Sequence, residues 1–347
     1  MALPPVSFPH LQDTPFLEYS SVYWGVHAKI DLSNCAKLLA LRLFDDYSNH
    51  VSAKILLKAQ KDWYFSDIYS EEPCLFSSLH CASFLGIDEI AAELVEAEGC
   101  DINKIDSTGN TPLVWAARNG HERVVKTLLG QDDVDADKPD EDNRTPLSLA
   151  AQRGHEGVVK ILLARDDIDP NEPDEYGLTP LHYATKDGHE GVAKILLARD
   201  DIDPDKPDEG GCTPLVRAAW NGREELVKML IGRDDVDPDK PDEEGRTPLS
   251  WAAWNGREGV AKILLARDDV DADKPDEDNR TPLSLAAQRG HEGVMKILLE
   301  RDDINPYKLD NYGRTPLRWA TSEGHEGAVK MLLRRNDVNP AKRRKLS

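Results

Sequence analysis

Thr-Pro-Leu begins at Thr111, Thr145, Thr179, Thr213, Thr247, Thr281 and Thr315, seven times at an unbroken step of 34 residues. A fixed period of this length means one supersecondary unit stacked on copies of itself, because such a unit cannot bury its apolar face alone. One step back from Thr111, Ser77-Ser78-Leu79 is followed by Ala82, Gly86 and Leu94-Val95 in the same register, an eighth and diverged unit. Residues 132–158 and 268–294 both read DDVDADKPDEDNRTPLSLAAQRGHEGV, four periods apart, and recent duplication accounts for the identity.

Each unit explains itself physically. Thr supplies an N-cap oxygen for a first-turn amide, and Pro at the first helical position gives up an N–H that had no partner there. In the unit at Thr145, Leu147, Ala150 and Ala151 give the first helix a small apolar face. Gly154 ends that helix, where a positive φ costs glycine least. Glu156 opens a second helix four residues before Lys160, and the same spacing recurs in all seven Thr-Pro-Leu units. It predicts intrahelical ion pairs worth about 0.3 kcal/mol each, well placed for the helix dipole. Val158, Val159, Ile161, Leu162 and Leu163 supply the buried side of the second helix. The stretch DKPDED between units reads as a solvated turn.

Helix, turn, helix and an extended Thr-Pro-Leu turn at this period resemble the ankyrin repeat, and TPLSLAAQRGHEGVVKILL closely resembles its consensus. The resemblance covers about 73–340 and implies an all-α solenoid of about eight units. Their bounds fall near 73–106, 107–140, 141–174, 175–208, 209–242, 243–276, 277–310 and 311–340. One departure is regular. Later units read VDPDKPD before the turn where the ankyrin pattern has VNxxD, the form kept by Ile102-Asn103-Lys104-Ile105-Asp106, and a reshaped hairpin tip is expected there.

Residues 1–72 differ in kind. All six Phe lie at or before Phe84, and six bases oppose nine acids in 1–72, so the chain's acidity belongs to the array. Helical patterns at 31–44 and 51–60 predict a helical N-terminal cap. The string FLEYSSVYWGVHAK resembles the segment preceding ankyrin arrays in fungal NACHT-type signalling proteins, over about 16–70. Those proteins carry a nucleotide-binding domain, whereas no GxxxxGK[ST] phosphate loop occurs in this sequence. The resemblance implies the recognition half of an innate-immunity-like or self/non-self system.

Sixty-four acids against 43 bases give a net charge of −21, which argues against binding a nucleic-acid backbone. No run of eighteen apolar residues exists to cross a membrane. The opening MALPPVSFPHLQ lacks the basic and apolar regions of a secretory signal, and five irregularly spaced Cys suit a reducing compartment. A cytoplasmic location is expected. The basic run Lys342-Arg343-Arg344-Lys345, within a tail at 341–347, reads either as a nuclear import signal or as a soluble end to the last repeat.

Catalytic and cofactor readings find no footing. His121, His155, His189, His291 and His325 share one repeat position, but helices pack about 8–10 Å apart and metal ligands converge at about 2 Å. They are read as helix-linking hydrogen-bond residues. Asn143-Arg144-Thr145 and Asn279-Arg280-Thr281 match a glycosylation sequon, but each Thr is the expected cap. Asp132-Asp133 and Asp140-Glu141-Asp142 lack the Gly-centred calcium loop and read as a solvated acidic edge. No nucleophile–base grouping appears, so no enzyme activity, cofactor, metal or small-molecule substrate is expected.

Positions that vary between copies are those the scaffold does not dictate. With Thr as position one, position five reads Trp115, Leu149, Tyr183, Arg217, Trp251, Leu285 and Trp319. Position eight holds Trp220 and Trp254, and position nine holds Arg153, Asn221, Asn255 and Arg289 among others. Positions five and eight share a helix face. The ankyrin resemblance places that face in the concave groove where partners bind, and Trp and Arg are hot-spot residue types. Position five is equally readable as inter-repeat packing. The expected function is a monomeric, non-catalytic scaffold that binds a protein or peptide, a basic one given the acidic array, through Trp220, Trp254, Arg217, Asn221 and Asn255. A nuclear regulatory adaptor is the alternative, and the regulatory part of an enzyme would require a catalytic domain.

Overall fold

The structure is a computed structural model that describes residues 76–338, with side chains through Arg335. The cap expected over 1–72, its two helices, and the tail at 341–347 with Lys342, Arg343, Arg344 and Lys345 lie outside the described residues.

Among the described residues there are sixteen helices and no strand. They come in pairs: α1 Ser78–Leu85 with α2 Asp88–Val95, α3 Pro112–Arg118 with α4 Glu122–Leu129, α5 Pro146–Arg153 with α6 Glu156–Leu162, and α7 Pro180–Asp187 with α8 Glu190–Leu197. The next pairs are α9 Pro214–Asn221 with α10 Glu224–Ile231, α11 Pro248–Trp254 with α12 Glu258–Leu265, α13 Pro282–Arg289 with α14 Glu292–Leu299, and α15 Pro316–Ser322 with α16 Glu326–Val338. The helices fall into two compact units, one drawn from Met1–Pro146 with Ala164–Ile168, the other from Leu147–Leu163 with Asp169–Ser347. In the first, α1 packs on α3 and α2 on α4. In the second, α7, α9, α11, α13 and α15 pack in succession, as do α6, α8, α10, α12, α14 and α16.

The helix starts follow the local chemistry. Thr111, Thr179, Thr213, Thr247, Thr281 and Thr315 each accept the backbone amide three residues on, and Ser77 does the same in the diverged unit. The second helices of the six interior units bury Val158, Val159 and Leu162, or their counterparts, almost completely, while Leu94 in the first unit and Val329 in the last are half-buried. In the last unit position four is Arg318, exposed where His182, Val216, Ser250 and Ser284 are buried, which gives that unit a polar outer face.

Cross-repeat hydrogen bonds set the spacing. His189 Nε2 lies 2.9 Å from the Gln152 carbonyl, His291 Nε2 3.0 Å from that of Trp254, and His325 Nε2 3.1 Å from that of Gln288. The helix-linking reading of these histidines holds. At the same position Arg257 Nε donates to the Trp220 carbonyl at 3.1 Å. The ring comes so close to the preceding helix end that a Cβ on Gly154 would stand 2.6 Å from His189 Nδ1, and Gly154 also has φ +74. Glycine is required there twice over. Further along, Arg199, Arg233, Arg267 and Arg301 each grip the Asp two residues on and donate to a carbonyl of the preceding unit. The guanidinium holds the carboxyls of Asp201, Asp235, Asp269 and Asp303 below the usual range.

Three expectations need correction. Among the described residues the Glu-to-Lys pair closes only at Glu326–Lys330, 3.7 Å. Glu156, Glu224, Glu258 and Glu292 instead lie over Gly191, Gly259, Gly293 and Gly327, in the first turn of the next unit's second helix. There a carboxylate stands beside the positive end of a helix. The hairpin tip is not reshaped: Asp205 sits in the register of Asn103 and accepts the Asp237 amide as Asn103 accepts that of Asp135. Nor is the acidic turn wholly solvated, since Asp140 and its counterparts Asp174, Asp208, Asp242, Asp276 and Asp310 are buried.

Candidate partner-binding face

The buried Asp is the hub of each turn. In the unit of α7, Asp174 Oδ1 accepts the amides of Tyr176 and Leu178 at 2.9 and 2.8 Å. Its Oδ2 accepts the Tyr183 hydroxyl at 2.5 Å. In other units the counterpart Oδ2 accepts likewise: Asp106 from Trp115 Nε1 (2.7 Å), Asp208 from Arg217 Nε (2.8 Å), Asp242 from Trp251 Nε1 (2.7 Å) and Asp310 from Trp319 Nε1 (3.0 Å). Where position five is Leu149 or Leu285, the donor is the Arg before Thr: Arg144 to Asp140 and Arg280 to Asp276, both 2.9 Å. Burial works against the Asp310 carboxylate, yet the amides of Arg314 and Tyr312 and the Arg314 guanidinium hold it below the usual range.

Position five is therefore internal. Trp115, Tyr183, Trp251 and Trp319 are 0–7% exposed and tied to their hubs, so the structure removes these four from the contact surface and makes them its support. Arg217 is half-buried and committed to Asp208. Asn221 Nδ2 donates to the Arg217 carbonyl at 2.9 Å and Asn255 Nδ2 to that of Trp251 at 3.2 Å. Both Asn thus close the ends of their own helices.

Position eight differs. Trp220, in the last turn of α9, is 38% exposed and stacks on Trp251 of α11 with ring centroids 4.0 Å apart and planes 23° apart. Beneath, Trp251 packs with Cys212, Val216 and the partly buried Trp254. Burial raises the Cys212 thiol to about 12, so it acts as an apolar filler at neutral pH. The Arg246 guanidinium lies 4.7 Å over Trp251, and that of exposed Arg289 lies 3.9 Å over Trp254. Arg153 is exposed on α5. The structure thus joins Trp220, Trp251, Trp254 and Arg289 into one aromatic–guanidinium patch in the second unit, with Trp220 outermost. Trp254 is less open than its position suggested, because α13 brings Arg289 across it.

Sequence reasoning passed over Tyr176 and Tyr312, 58% and 68% exposed on their turns. The signal was present: both stand three residues before Thr, where other units carry Thr108, Asp142, Gly210, Glu244 or Asp278. It also passed over the buried His80 and His182 at position four. His182 Nδ1 accepts the Thr179 amide at 3.2 Å and its Nε2 donates to the Cys212 carbonyl at 3.0 Å. Burial lowers its pKa to about 4. Among the described residues no group of three His, Cys, Asp or Glu is placed to hold a metal ion, and no helix is long and apolar enough to cross a membrane.

Repeated helix pairs, capped alike and joined by one hydrogen-bond pattern while selected side chains vary, define a repeat protein of the all-α solenoid class. The family model of ankyrin repeats (three copies) matches residues 39–140, 79–174, 130–208, 168–242, 201–276 and 266–343. The chain belongs to the ankyrin-repeat family. No curated protein matches it. As an ankyrin array it is a scaffold suited to protein–protein interaction.

Proposed function

We propose that this scaffold binds a protein or peptide through the face carried by its first helices, with Trp220 as the anchor and Trp254 and Arg289 beside it. The carrying observation is the stack of a 38%-exposed Trp220 on a Trp251 that is itself fixed to Asp242. An aromatic ring held rigid while still open to solvent offers contact area at little entropic cost. The net charge of −21 favours a basic partner, whose association rate falls as salt rises. The test is affinity capture with the full chain, then titration of the captured protein against wild type and Trp220→Ala. Loss of about 2 kcal/mol or more of binding, with the helical signal retained, supports the anchor; unchanged affinity refutes it. The resemblance of residues 16–70 to fungal NACHT-type proteins suggests recognition in an immunity-like system as the setting. The basic run Lys342–Lys345 favours the second reading, a nuclear adaptor, and fluorescence of intact and tail-deleted protein in cells separates the two.

A further inference from the structure

Asn171 shows what its register position does when it holds an amide. Its Oδ1 accepts the Asp203 amide at 2.8 Å, its Nδ2 donates to the Asp201 carbonyl at 2.7 Å, and its own carbonyl accepts Lys206 Nζ at 2.8 Å. The next three units carry Asp205, Asp239 and Asp273 there. Two of the three bonds survive. The Oδ2 atoms accept the amides of Asp237, Asp271 and Asn305 at 2.7, 2.6 and 2.6 Å. The backbone carbonyls accept Lys240, Lys274 and Lys308.

The third bond has no donor. In all three residues Oδ1, at the place of the amide nitrogen, is buried without a hydrogen-bond partner. In the register of Asn103 and Asn171, whose amide nitrogens donate to the Asp133 and Asp201 carbonyls, the counterpart carbonyls are those of Asp235, Asp269 and Asp303. A carboxylate oxygen and a carbonyl oxygen are both acceptors, so the contact is unfavourable unless a proton lies between them.

The charged neighbours do not relieve it. Asp205 faces Lys240, Asp237 and Asp203; Asp239 faces Lys274, Asp271 and Asp237; Asp273 faces Lys308, Asp271 and Asp303. Each lysine is already spent on a backbone carbonyl. Arg233, Arg267 and Arg301 are clamped on Asp235, Asp269 and Asp303. Burial raises all three carboxyls above the usual range, against the smaller opposing pull of the ladder amide and the lysine.

We infer that Asp205, Asp239 and Asp273 form a proton-binding ladder, in which each protonated Oδ1 donates to the carbonyl ahead of it as the Asn171 amide does. One proton is taken from solvent per residue and nothing else changes hands. In the unfolded chain Asp titrates at about 3.9. The folded values are higher, so the native state binds more protons between the two. The ladder's contribution to stability is full below the unfolded value and is lost as pH rises through the folded values. The turn edge of the second unit is thus tightest in mild acid and loosened at neutral pH.

The test is thermal unfolding of the full chain and of the triple variant D205N/D239N/D273N, followed by circular dichroism between pH 4 and pH 8. The difference in Tm at each pH isolates the ladder, because titration of His182 and of the arginine-held Asp residues is common to both proteins. The variant should melt several degrees higher at neutral pH, and the gap should close toward pH 4. Asn171→Asp should do the reverse, lowering Tm at neutral pH and recovering in acid. No gap at neutral pH, or a gap independent of pH, overturns the inference. So does a rise of the wild-type Tm on adding calcium chloride at neutral pH that the triple variant lacks, since the third ligand would then be a cation.

Discussion

Tyr183→Phe removes one oxygen atom and leaves the core volume untouched. In this unit the residue before Thr is Leu178, so no arginine stands ready to replace the lost donor. The Tyr183 hydroxyl, at 2.5 Å, is the donor to Asp174 Oδ2, and Asp174 is 6% exposed. Deleting a hydrogen bond to a buried charged group costs about 1.5–3 kcal/mol. For an array of this size that is a drop in Tm of roughly 4–10 °C. The assay is urea and thermal unfolding of the full chain by circular dichroism, in a double-mutant cycle with Leu178→Arg. Arg144 and Arg280 reach the hub carboxylate from that position wherever position five is leucine. Leu178→Arg should therefore destabilise the parent, where it gives up a buried leucine, yet recover at least half of the loss in the Tyr183→Phe background. A Tyr183→Phe protein within about 0.5 kcal/mol of the parent would refute the hub. An equal effect of Leu178→Arg in both backgrounds would refute the exchange of donors.

His182, neutral when folded and lowered to about 4 from an ordinary 6.5, contributes stability that is complete above about 6.5 and lost as pH falls toward 4. Replacing it with serine, the residue of the units at Ser148, Ser250 and Ser284, should flatten that part of the Tm–pH profile, and an unchanged acid limb would show that the acid sensitivity lies elsewhere. Leu162→Ala, at a fully buried site, should cost about 2–5 kcal/mol in urea unfolding while leaving partner affinity alone. Gly256→Ala forces a Cβ to 2.6 Å from His291 Nδ1 at φ +67, and should cost at least about 1 kcal/mol, with the His291–Trp254 bond visibly disturbed in imidazole NMR shifts.

Local chemistry was legible and long-range pairing was not. The Thr caps, the glycine ends and the apolar second helices follow from neighbours within four residues, and the structure has them where the 34-residue step put them. Glu156 and Lys160 satisfy the same local rule but do not pair; Glu156 lies instead over Gly191 at the start of the next unit's second helix, a neighbour that no single-unit pattern contains. Asp140 reads as one more acid in an acidic turn until the fold closes two backbone amides around it. Yet the copies held the clue. The units lacking Arg before Thr (Asn110, Leu178, Cys212) carry Trp115, Tyr183 and Arg217 at position five, and those with Leu149 and Leu285 carry Arg144 and Arg280. Each unit keeps a donor for one buried carboxylate oxygen, and that constraint governs variation which otherwise looks free.

The same constraint separates position five from position eight. A position-five side chain that donates is held by its hub: Trp251 gives its indole N–H to Asp242, and the ring is fixed as a consequence. Position eight owes nothing to the hub: no hydrogen bond reaches Nε1 of Trp220 among the described residues, and Gln152, Lys186, Gln288 and Ser322 serve at that position in other units without loss of the fold. A tryptophan is costly there, since it leaves a large apolar ring in water. Stacking on Trp251 offsets part of that cost, and α9 and α11 are consecutive first helices that both carry Trp at position eight. The scaffold therefore tolerates Trp220 without requiring it, and Trp220→Ala should leave the stability within about 0.5 kcal/mol of the parent's, so that any loss of binding by this variant reads on the proposed anchor alone.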